Sequence, residues 1–341
     1  MPEKTKYTGY AIALAWPETY CKQAGAWYDP VMNFLGINTN FHYKVGHAAV
    51  ILVDGRNGSC LYFDFGRYHA PFGYGRVRNK ETDHDLTIHL KAIISDSGSI
   101  VNLNEILFEI YHNPSCHGNG PVHAAYIKIR FDLAHKTVLK MQKRNPWKYG
   151  PFIMEGTNCS RFVRSIILSG KPSLKNALKL RLPLTISPTP VGNVGSLGKR
   201  TIYQPERDDP SINLKVAKPP QLSSSNLNKT LQIPIKGPSV PSTAQWLAGE
   251  GAGSWFNIER VNAGFKVNRY SESGKLECSG IFSKQVHFDL EISKPFKFQH
   301  ISHCDQVSIE QNGRTIYLKR VKTTTYNKKY DPYSYLQTQR S

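Results

Sequence analysis

The chain has 341 residues, of which 40% are hydrophobic and 20% charged, a composition typical of globular proteins with a normal core. Its formal net charge of +19 indicates either an anionic substrate or partner or a solvated basic surface with a basic tail. No zinc-finger, helix-turn-helix or other nucleic-acid motif accompanies that charge, so we expect no specific nucleic-acid partner. No stretch approaches the about 20 apolar residues that cross a bilayer, so we expect no transmembrane segment.

The first apolar run and the cysteines bear on the compartment. Residues 10–15 are apolar, but the run is short for the core of a signal peptide and no cleavage motif follows it. We therefore expect a cytoplasmic protein. The six cysteines are scattered without a Cys-x-x-Cys pair, which predicts free thiols rather than a disulfide framework or a structural zinc site. We expect no cofactor.

Residues 7–170 alternate strand and helix signals and predict an α+β domain. Apolar alternation or a buried β-rich run predicts strands, and three-to-four-residue periodicity predicts helices. The predicted strands cover residues 10–15, 45–53, 60–68, 86–94 and 126–131, and the predicted helices cover residues 28–35, 103–111, 133–143 and 158–168.

A cluster of turn residues at 54–59 predicts a β-hairpin between two of these strands. If Val53 pairs with Cys60, then His47 and Asp64 project from the same face of the hairpin as diagonal neighbours. A slip of one residue would place them on opposite faces, so their proximity depends on this register.

The composition changes after residue 170. Residues 1–182 form the predicted α+β domain, and residues 183–243, rich in Pro and Ser, form a predicted extended connector with little core of its own. Alternating β patterns over residues 244–321, among them residues 286–290, and a hairpin turn at Asn312-Gly313 predict a small all-β domain. Residues 322–341 are a predicted polar tail.

Cys159 is the best candidate nucleophile among the six cysteines. It follows Asn158 where a helix is predicted to begin. There, unpaired backbone N–H groups and the helix dipole lower the pKa of a thiol and can stabilise an oxyanion. A cysteine considered alone is more often a buried structural residue.

His47 is the candidate base. It lies in an otherwise apolar strand beside the small residues Gly46 and Ala48 and is either a core histidine or a base facing a cleft. A carboxylate next to an imidazole fixes its tautomer and raises its basicity, and Asp64 has the required position in the assumed register. His69, just after the second strand, is the alternative third member.

The order of these motifs resembles circularly permuted NlpC-type papain-like cysteine hydrolases, including YiiX-like proteins. A Gly-His-small-small strand comes first, and the Asn-Cys-Ser helix start follows much later; residues 7–170 carry the resemblance. The layout is also similar to the lecithin:retinol acyltransferase group and to proteins from Bacteroidota. The resemblance implies an antiparallel sheet packed with helices, with Cys159 as nucleophile, His47 as base and Asp64 as orienting residue. Many such proteins have His or Glu at the third place.

Five further residues are candidates for substrate binding. Trp16 and Glu18 follow the first strand and could form the wall of a cleft, although aromatic residues of this kind are more often core. Arg67, Arg76 and Arg78 could hold a substrate carboxylate or phosphate by forked hydrogen bonds. A solvated basic edge strand is an equally good interpretation of the arginines.

Three histidines surround Cys116 but do not predict a metal site. The spacing of His112, His117 and His123 matches no standard zinc pattern, and the intervening residues are typical of a loop.

Three functional hypotheses follow. The leading one is a thiol hydrolase that cleaves an amide bond of a peptide or peptidoglycan-derived fragment through a thioacyl intermediate. The second is an acyltransferase or thioesterase acting on lipid-like esters, which would use the same residues in a more apolar cleft. The third is a non-catalytic protein that keeps a papain-like scaffold and binds an anionic partner, a role that requires neither the cysteine nor the histidine.

Overall fold

The computed structural model describes residues 7–23, 28–36, 38–39, 42–116, 118–182, 187–205, 233–284, 290–300 and 302–321. Within these ranges the chain is α+β, and its last part is an all-β unit, as predicted. No helix in the described ranges is long and apolar enough to span a bilayer.

An antiparallel sheet of seven strands, counted over the described residues, forms the first part of the molecule. Its strands are β1 (Gly9–Trp16), β5 (His47–Asp54), β6 (Cys60–Gly66), β7 (Tyr74–Arg78), β8 (Val122–Ile129), β9 (Trp147–Lys148) and β10 (Thr201–Tyr203). Their order is β10-β8-β1-β5-β6-β7-β9. A small sheet beside it contains β2 (Cys21–Lys22), β3 (Asn38–Thr39) and β4 (His42–Tyr43).

Apolar layers cover both faces of this sheet. The helices are α1 (Asp29–Phe34), α2 (Leu103–His112), α3 (Phe131–Lys143), α4 (Cys159–Ser169), α5 (Leu174–Arg181) and α6 (Pro190–Leu197), and a 3₁₀ turn covers His84–Leu86. α3, α4 and α6 contribute to the core on one face, and α2 packs on the other. Because β1 and β5 are buried on both sides, they are apolar throughout rather than alternating.

The predicted hairpin register is confirmed. β5 and β6 pair with Val53 opposite Cys60 and Ala49 opposite Asp64. Side chains alternate across a strand, so His47, two residues before Ala49, projects from the same face as Asp64. The turn residues between the strands therefore set the geometry of the candidate site.

The predicted strand over residues 86–94 is wrong. Its apolar residues Leu86, Ile88, Leu90 and Ile94 do pack into the core on the α2 side of the sheet. However, this segment forms only isolated bridges. The carboxylate of Glu109 in α2 accepts hydrogen bonds from the backbone N–H groups of His89 and Leu90. The alternation of apolar and polar residues correctly indicated that one side of the segment is buried. A β-strand also requires a neighbouring strand to form a ladder of backbone hydrogen bonds, and this segment has none among the described residues.

The segment predicted as an extended connector contains regular structure. α6 places Val194 and Leu197 in the core beside α4, and β10 pairs with β8. Thr189 caps α6 by accepting the Gly192 N–H at 3.0 Å. The prolines that suggested a connector are compatible with a capped helix, because Pro190 stands in its first turn.

A second antiparallel sheet forms the all-β part of the chain. Its strands within the described ranges are β11 (Gln245–Leu247), β12 (Ser254–Val261), β13 (Gly264–Tyr270), β14 (Leu276–Lys284), β15 (Lys297–Phe298), β16 (Gln306–Gln311) and β17 (Arg314–Arg320). Their order is β11-β12-β13-β14-β17-β16-β15. The Asn312-Gly313 turn joins β16 to β17, as predicted. The strand predicted over residues 286–290 and the tail over 322–341 fall on residues that lie outside the described ranges, except Leu290, which is not in a strand.

Candidate active site

Cys159 is the first residue of α4, where the sequence predicted a helix to begin. The side chain of Asn158 caps this helix by accepting the Arg161 N–H at 2.8 Å. Cys159 is 6% exposed and packs in the core beneath the sheet. The local sequence therefore fixes the thiol at a helix N-terminus, where the backbone favours an anion.

His47 begins β5 and lies at the end of the sheet that is nearest to this helix start. The preceding residue, Gly46, has a φ of 75°, a conformation that glycine adopts without strain. Trp16 pairs with His47 across β1 and β5, and their ring centroids are 5.7 Å apart. The imidazole is thus held by a fully buried aromatic side chain.

The imidazole of His47 lies close enough to the thiol of Cys159 for the two groups to shift each other's pKa. Burial raises the pKa of the Cys159 thiol, but the nearby imidazole of His47 and, to a smaller extent, the backbone N–H of Ala48 outweigh it, so the net pKa is below the ordinary value. The thiolate form is therefore stabilised by the histidine.

Burial lowers the pKa of His47, but the contacts with Asp64 and Cys159 outweigh this effect and raise the pKa to about 9. The Nε2 atom of His47 lies 3.7 Å from Oδ2 of Asp64, and it has no hydrogen-bond partner among the described residues. The carboxylate therefore acts on the ring mainly by its charge at this distance.

Asp64 is fully buried and has Arg78 as its main partner. Nε of Arg78 donates to Oδ1 at 2.9 Å, Nη2 donates to Oδ2 at 2.5 Å, and the hydroxyl of Tyr62 donates to Oδ2 at 3.2 Å. Burial raises the pKa of the Asp64 carboxyl, but Arg78 and then His47 lower it by a larger amount. The net pKa therefore lies well below the usual range. Asp64 is consequently a permanent anion.

Arg78 was considered only as a possible contact for a substrate carboxylate or phosphate, and its pairing with Asp64 was not predicted. It is opposite Asp64 in the pairing of β6 with β7, it lies 3.7 Å over the ring of Tyr68, and it donates to the carbonyl of Ser115 at 3.0 Å. The sequence did contain a signal, because a buried aspartate requires a positively charged partner and Arg78 lies in the strand that pairs with the strand of Asp64.

Arg67 and Arg76 do not present free guanidinium groups to a substrate. Arg67 is buried and pairs with Glu250 at 2.6 Å. Arg76 is buried and pairs with Asp83 through two hydrogen bonds of 2.8 and 2.7 Å. The alternative interpretation, a solvated basic edge strand, is wrong for both arginines, because β7 lies between β6 and β9 and Glu250 covers Arg67. Their role in substrate binding remains a prediction.

Trp16 and Glu18 differ in their positions. Trp16 is fully buried against His47 and so supports the imidazole rather than lining an open cleft. Glu18 is half-buried and its carboxylate lies against Gly120, near His123. Its prediction as a substrate contact remains a prediction.

The alternative third member, His69, is not adjacent to the dyad. Its Nδ1 accepts from Arg76 at 2.9 Å, and its Nε2 bonds the hydroxyl of Ser254 at 2.8 Å. Burial, and then the charges of Arg269 and Arg76, lower the pKa of His69 well below the ordinary value. Among the described residues, no cluster of three or more His, Cys, Asp and Glu side chains could hold a metal ion, and His117 lies outside the described ranges.

Comparison with known proteins gives two family matches. A model described as type VI secretion system effector TseH-like matches residues 11–175, just under half of the chain. A second model, described as DUF6695 C-terminal domain, matches residues 244–321. The first match spans His47, Asp64 and Cys159, so the three candidate residues lie within a region similar to that effector family.

One solved structure is also similar. A crystal structure of the type VI secretion system effector TseH matches with 16% sequence identity and a TM-score of 0.35, covering 59% of this chain and 100% of that one. Comparison with curated proteins finds no match.

Proposed function

We propose that this protein is a thiol hydrolase that cleaves an amide bond with Cys159 as nucleophile, His47 as base and Asp64 as the orienting carboxylate. The observation that carries the proposal is the placement of one imidazole between a thiol and a carboxylate, at the N-terminus of α4. A role in packing alone requires neither an imidazole beside the thiol nor the buried charge of Asp64.

The acylation step follows from the protonation states. With the pKa of Cys159 lowered and that of His47 raised, the resting pair is a thiolate and an imidazolium. The thiolate attacks the carbonyl carbon of the substrate, and the imidazolium then gives its proton to the departing amine nitrogen. The products of this step are a thioacyl group on Cys159 and a free amine.

Deacylation uses the same groups in reverse. Neutral His47 takes a proton from water, the resulting hydroxide adds to the thioester, and the acid product leaves as the thiolate reforms. The first N–H groups of α4 have no partner within the helix and are suited to stabilise the oxyanion of both steps. Asp64 holds a negative charge near His47 throughout, which stabilises the imidazolium.

The substrate in this proposal is a peptide or peptidoglycan-derived fragment, by resemblance to permuted NlpC-type papain-like hydrolases. The same proposal includes a papain-like fold for the domain, a relationship to YiiX-like proteins and a similarity to proteins from Bacteroidota. Because the matching family model describes secretion effectors, a role as a secreted effector is part of it as well. The domain limits 1–182, 183–243, 244–321 and 322–341 and the cytoplasmic location remain predictions.

A second candidate function is acyl transfer or thioester hydrolysis on lipid-like molecules. The observation that favours it is an apolar loop just before the Cys159 helix, in which Met154 is 95% exposed and Phe152 is 38% exposed. The ring of Phe152 makes an edge contact with Tyr28 beside α1, where Phe34 is 90% exposed. Exposed apolar side chains in that number are suited to an acyl chain.

Alkylation by iodoacetamide, followed by peptide mass spectrometry across pH, tests the proposal. We expect Cys159 to react at mildly acidic pH, where an ordinary thiol with a pKa near 8.5 is almost fully protonated. His47→Ala should abolish this reactivity below neutral pH. An ordinary pH profile for Cys159 in the wild-type protein would contradict the proposal and favour a non-catalytic binding protein.

Substrate assays then separate the two enzymatic functions. Release of amines from peptidoglycan fragments supports the amidase. Release of fatty acid from an acyl thioester, without amine release, supports the second candidate. Met154→Ser should slow only the acyl thioester reaction, because Met154 is 95% exposed and the substitution removes only apolar surface.

A further inference from the structure

The segment between β11 and β12, residues 248–253, lies against the loop that follows β6. The backbone N–H of Gly251 donates to the carbonyl of Arg67 at 2.8 Å, and the N–H of His69 donates to the carbonyl of Ala252 at 2.9 Å. The all-β part of the chain therefore extends the backbone pairing of the part that carries Cys159. We call residues 248–253 the docking segment.

Glu250 is the charged residue of the docking segment, and its side chain is only 1% exposed. Its Oε1 accepts from Nη1 of Arg67 at 2.6 Å, and its Oε2 accepts from the backbone N–H of Gly73 at 3.0 Å. One carboxylate therefore holds both ends of the loop after β6. Removing one partner of a buried pair leaves the other charge uncompensated, so this contact is costly to break.

The first end of that loop leads to the orienting carboxylate. Tyr68, which follows Arg67, forms a parallel bridge with Ala252 of the docking segment. The ring of Tyr68 lies 3.7 Å from the Arg78 guanidinium, and Arg78 holds Asp64 by two hydrogen bonds. The position of the docking segment is thus transmitted through one aromatic ring and one guanidinium to the carboxylate near His47.

The second end of the loop leads to the nucleophile. The carbonyl of Gly73 accepts the backbone N–H of Tyr149 at 2.8 Å, and Tyr149 forms a parallel bridge with Thr157. Thr157 stands two residues before Cys159. Tyr149 also stacks on Phe65 of β6 at 5.8 Å with nearly parallel rings. The segment that enters α4 is consequently aligned by the same loop that Glu250 holds.

We propose that Glu250 is a positioning residue that the all-β part supplies to the hydrolase site. By fixing both ends of the loop after β6, it sets the distance between the Asp64–His47 pair and the Cys159 thiol. This inference rests on the proposed function, because it assigns Glu250 an effect on the thiolate–imidazolium pair. It makes the all-β part a component of the active site rather than a separate binding module.

The test uses the full chain and the reactivity of Cys159 toward iodoacetamide between pH 5 and pH 10. In Glu250→Gln we expect alkylation at pH 6 to fall about 10- to 100-fold, as for a misplacement of about 1 Å at a catalytic group. The rate above pH 9.5 should stay near the wild-type rate, because an ordinary thiol is ionised there. The midpoint of the profile should therefore move upward.

Two control variants separate positioning from loss of stability. Glu272→Gln removes the same charge from an exposed site in the same part of the chain and should leave the profile unchanged. Phe256→Leu truncates a fully buried side chain of the second sheet and should lower the Tm without moving the midpoint. An equal shift of the midpoint in Phe256→Leu would overturn the proposal.

A second variant covers the case in which Glu250→Gln does not fold. Tyr68→Leu keeps Glu250 and its partners but removes the aromatic ring from the Arg78 guanidinium, and it should raise the midpoint in the same direction. A folded Glu250→Gln or Tyr68→Leu protein with the wild-type profile would overturn the role of Glu250. A wild-type profile that is ordinary and insensitive to His47→Ala would instead overturn the proposed function, and this inference with it.

Discussion

The two seven-stranded sheets bury polar side chains in different ways. In the first sheet, charged residues are buried at one end of adjacent strands, where Asp64 and Arg78 lie beside His47. In the second sheet the core is apolar, from Leu247 to Leu318. Buried charge there is limited, among the described residues, to Arg269, which reaches across to the first part of the chain.

This difference distinguishes the sheet that carries the candidate catalytic residues from the sheet that supports it. Burying an ion pair is a weak way to stabilise a fold, because desolvation offsets most of the attraction. The first sheet retains such a pair where a thiol and an imidazole meet, whereas the second sheet uses apolar packing and places its buried arginine, Arg269, at the contact with the first part of the chain. The comparison indicates that the first sheet carries the reaction and the second holds it in place.

The largest expected effect comes from removing the candidate nucleophile. Cys159→Ala should reduce amine release from peptidoglycan fragments by about 10⁴-fold or more, since a member of a catalytic unit is lost. The Tm should change little, because the variant loses only a sulfur atom. Cys60→Ala, at a buried cysteine on the opposite face of the sheet, is the matched control and should retain activity. Comparable losses in both variants would contradict a division of roles between these cysteines.

The next effect compares two buried arginines. Arg78→Met leaves Asp64 buried without its main partner and should lower the free energy of unfolding by about 3–5 kcal/mol. Arg269→Met should cost less, about 1–3 kcal/mol, because Asp83 keeps its two hydrogen bonds from Arg76. Urea denaturation measures both values. Equal losses of unfolding free energy in the two variants would contradict the distinction between a buried charge at the candidate active site and one at the contact between the two sheets.

The smallest effect is a pH dependence at the contact between the sheets. His69 is buried and neutral, with a pKa lowered by burial and then by Arg269 and Arg76. The unfolded chain binds a proton at this residue below about pH 6.5, and the folded chain does not, so stability is lost as the pH falls. Between pH 7 and pH 5 the wild-type protein should lose up to about 2 kcal/mol more than His69→Gln.

Urea denaturation at the two pH values checks this prediction. His112→Gln, a change at an exposed histidine, is the control and should lose the same stability as the wild-type protein. If His69→Gln has the wild-type pH dependence, His69 is protonated in the folded state and its described hydrogen bonds are wrong.

Much of the candidate site could be predicted because its determinants are local. The turn residues at 54–59 fixed the register that puts His47 and Asp64 on one face, and Asn158 marked the start of α4. The roles of Arg67 and Arg76 could not be predicted, because their partners are Glu250, 183 residues away, and Asp83, which only the folded loop brings into reach. Local patterns report burial and secondary structure, but they do not identify distant partners.

Local sequence patterns are sufficient to predict the α+β class, the hairpin, the capped helix that begins at Cys159, and the order of histidine and cysteine along the chain. The tertiary structure decided that Arg78 neutralises Asp64, that Trp16 lies against His47 rather than in a cleft, and that the all-β part holds the loop beside the site. The two groups of features differ in the sequence separation over which their interactions act. Helix capping and turn formation involve residues a few positions apart, whereas the pairing of buried charges depends on which distant segments the packing brings together.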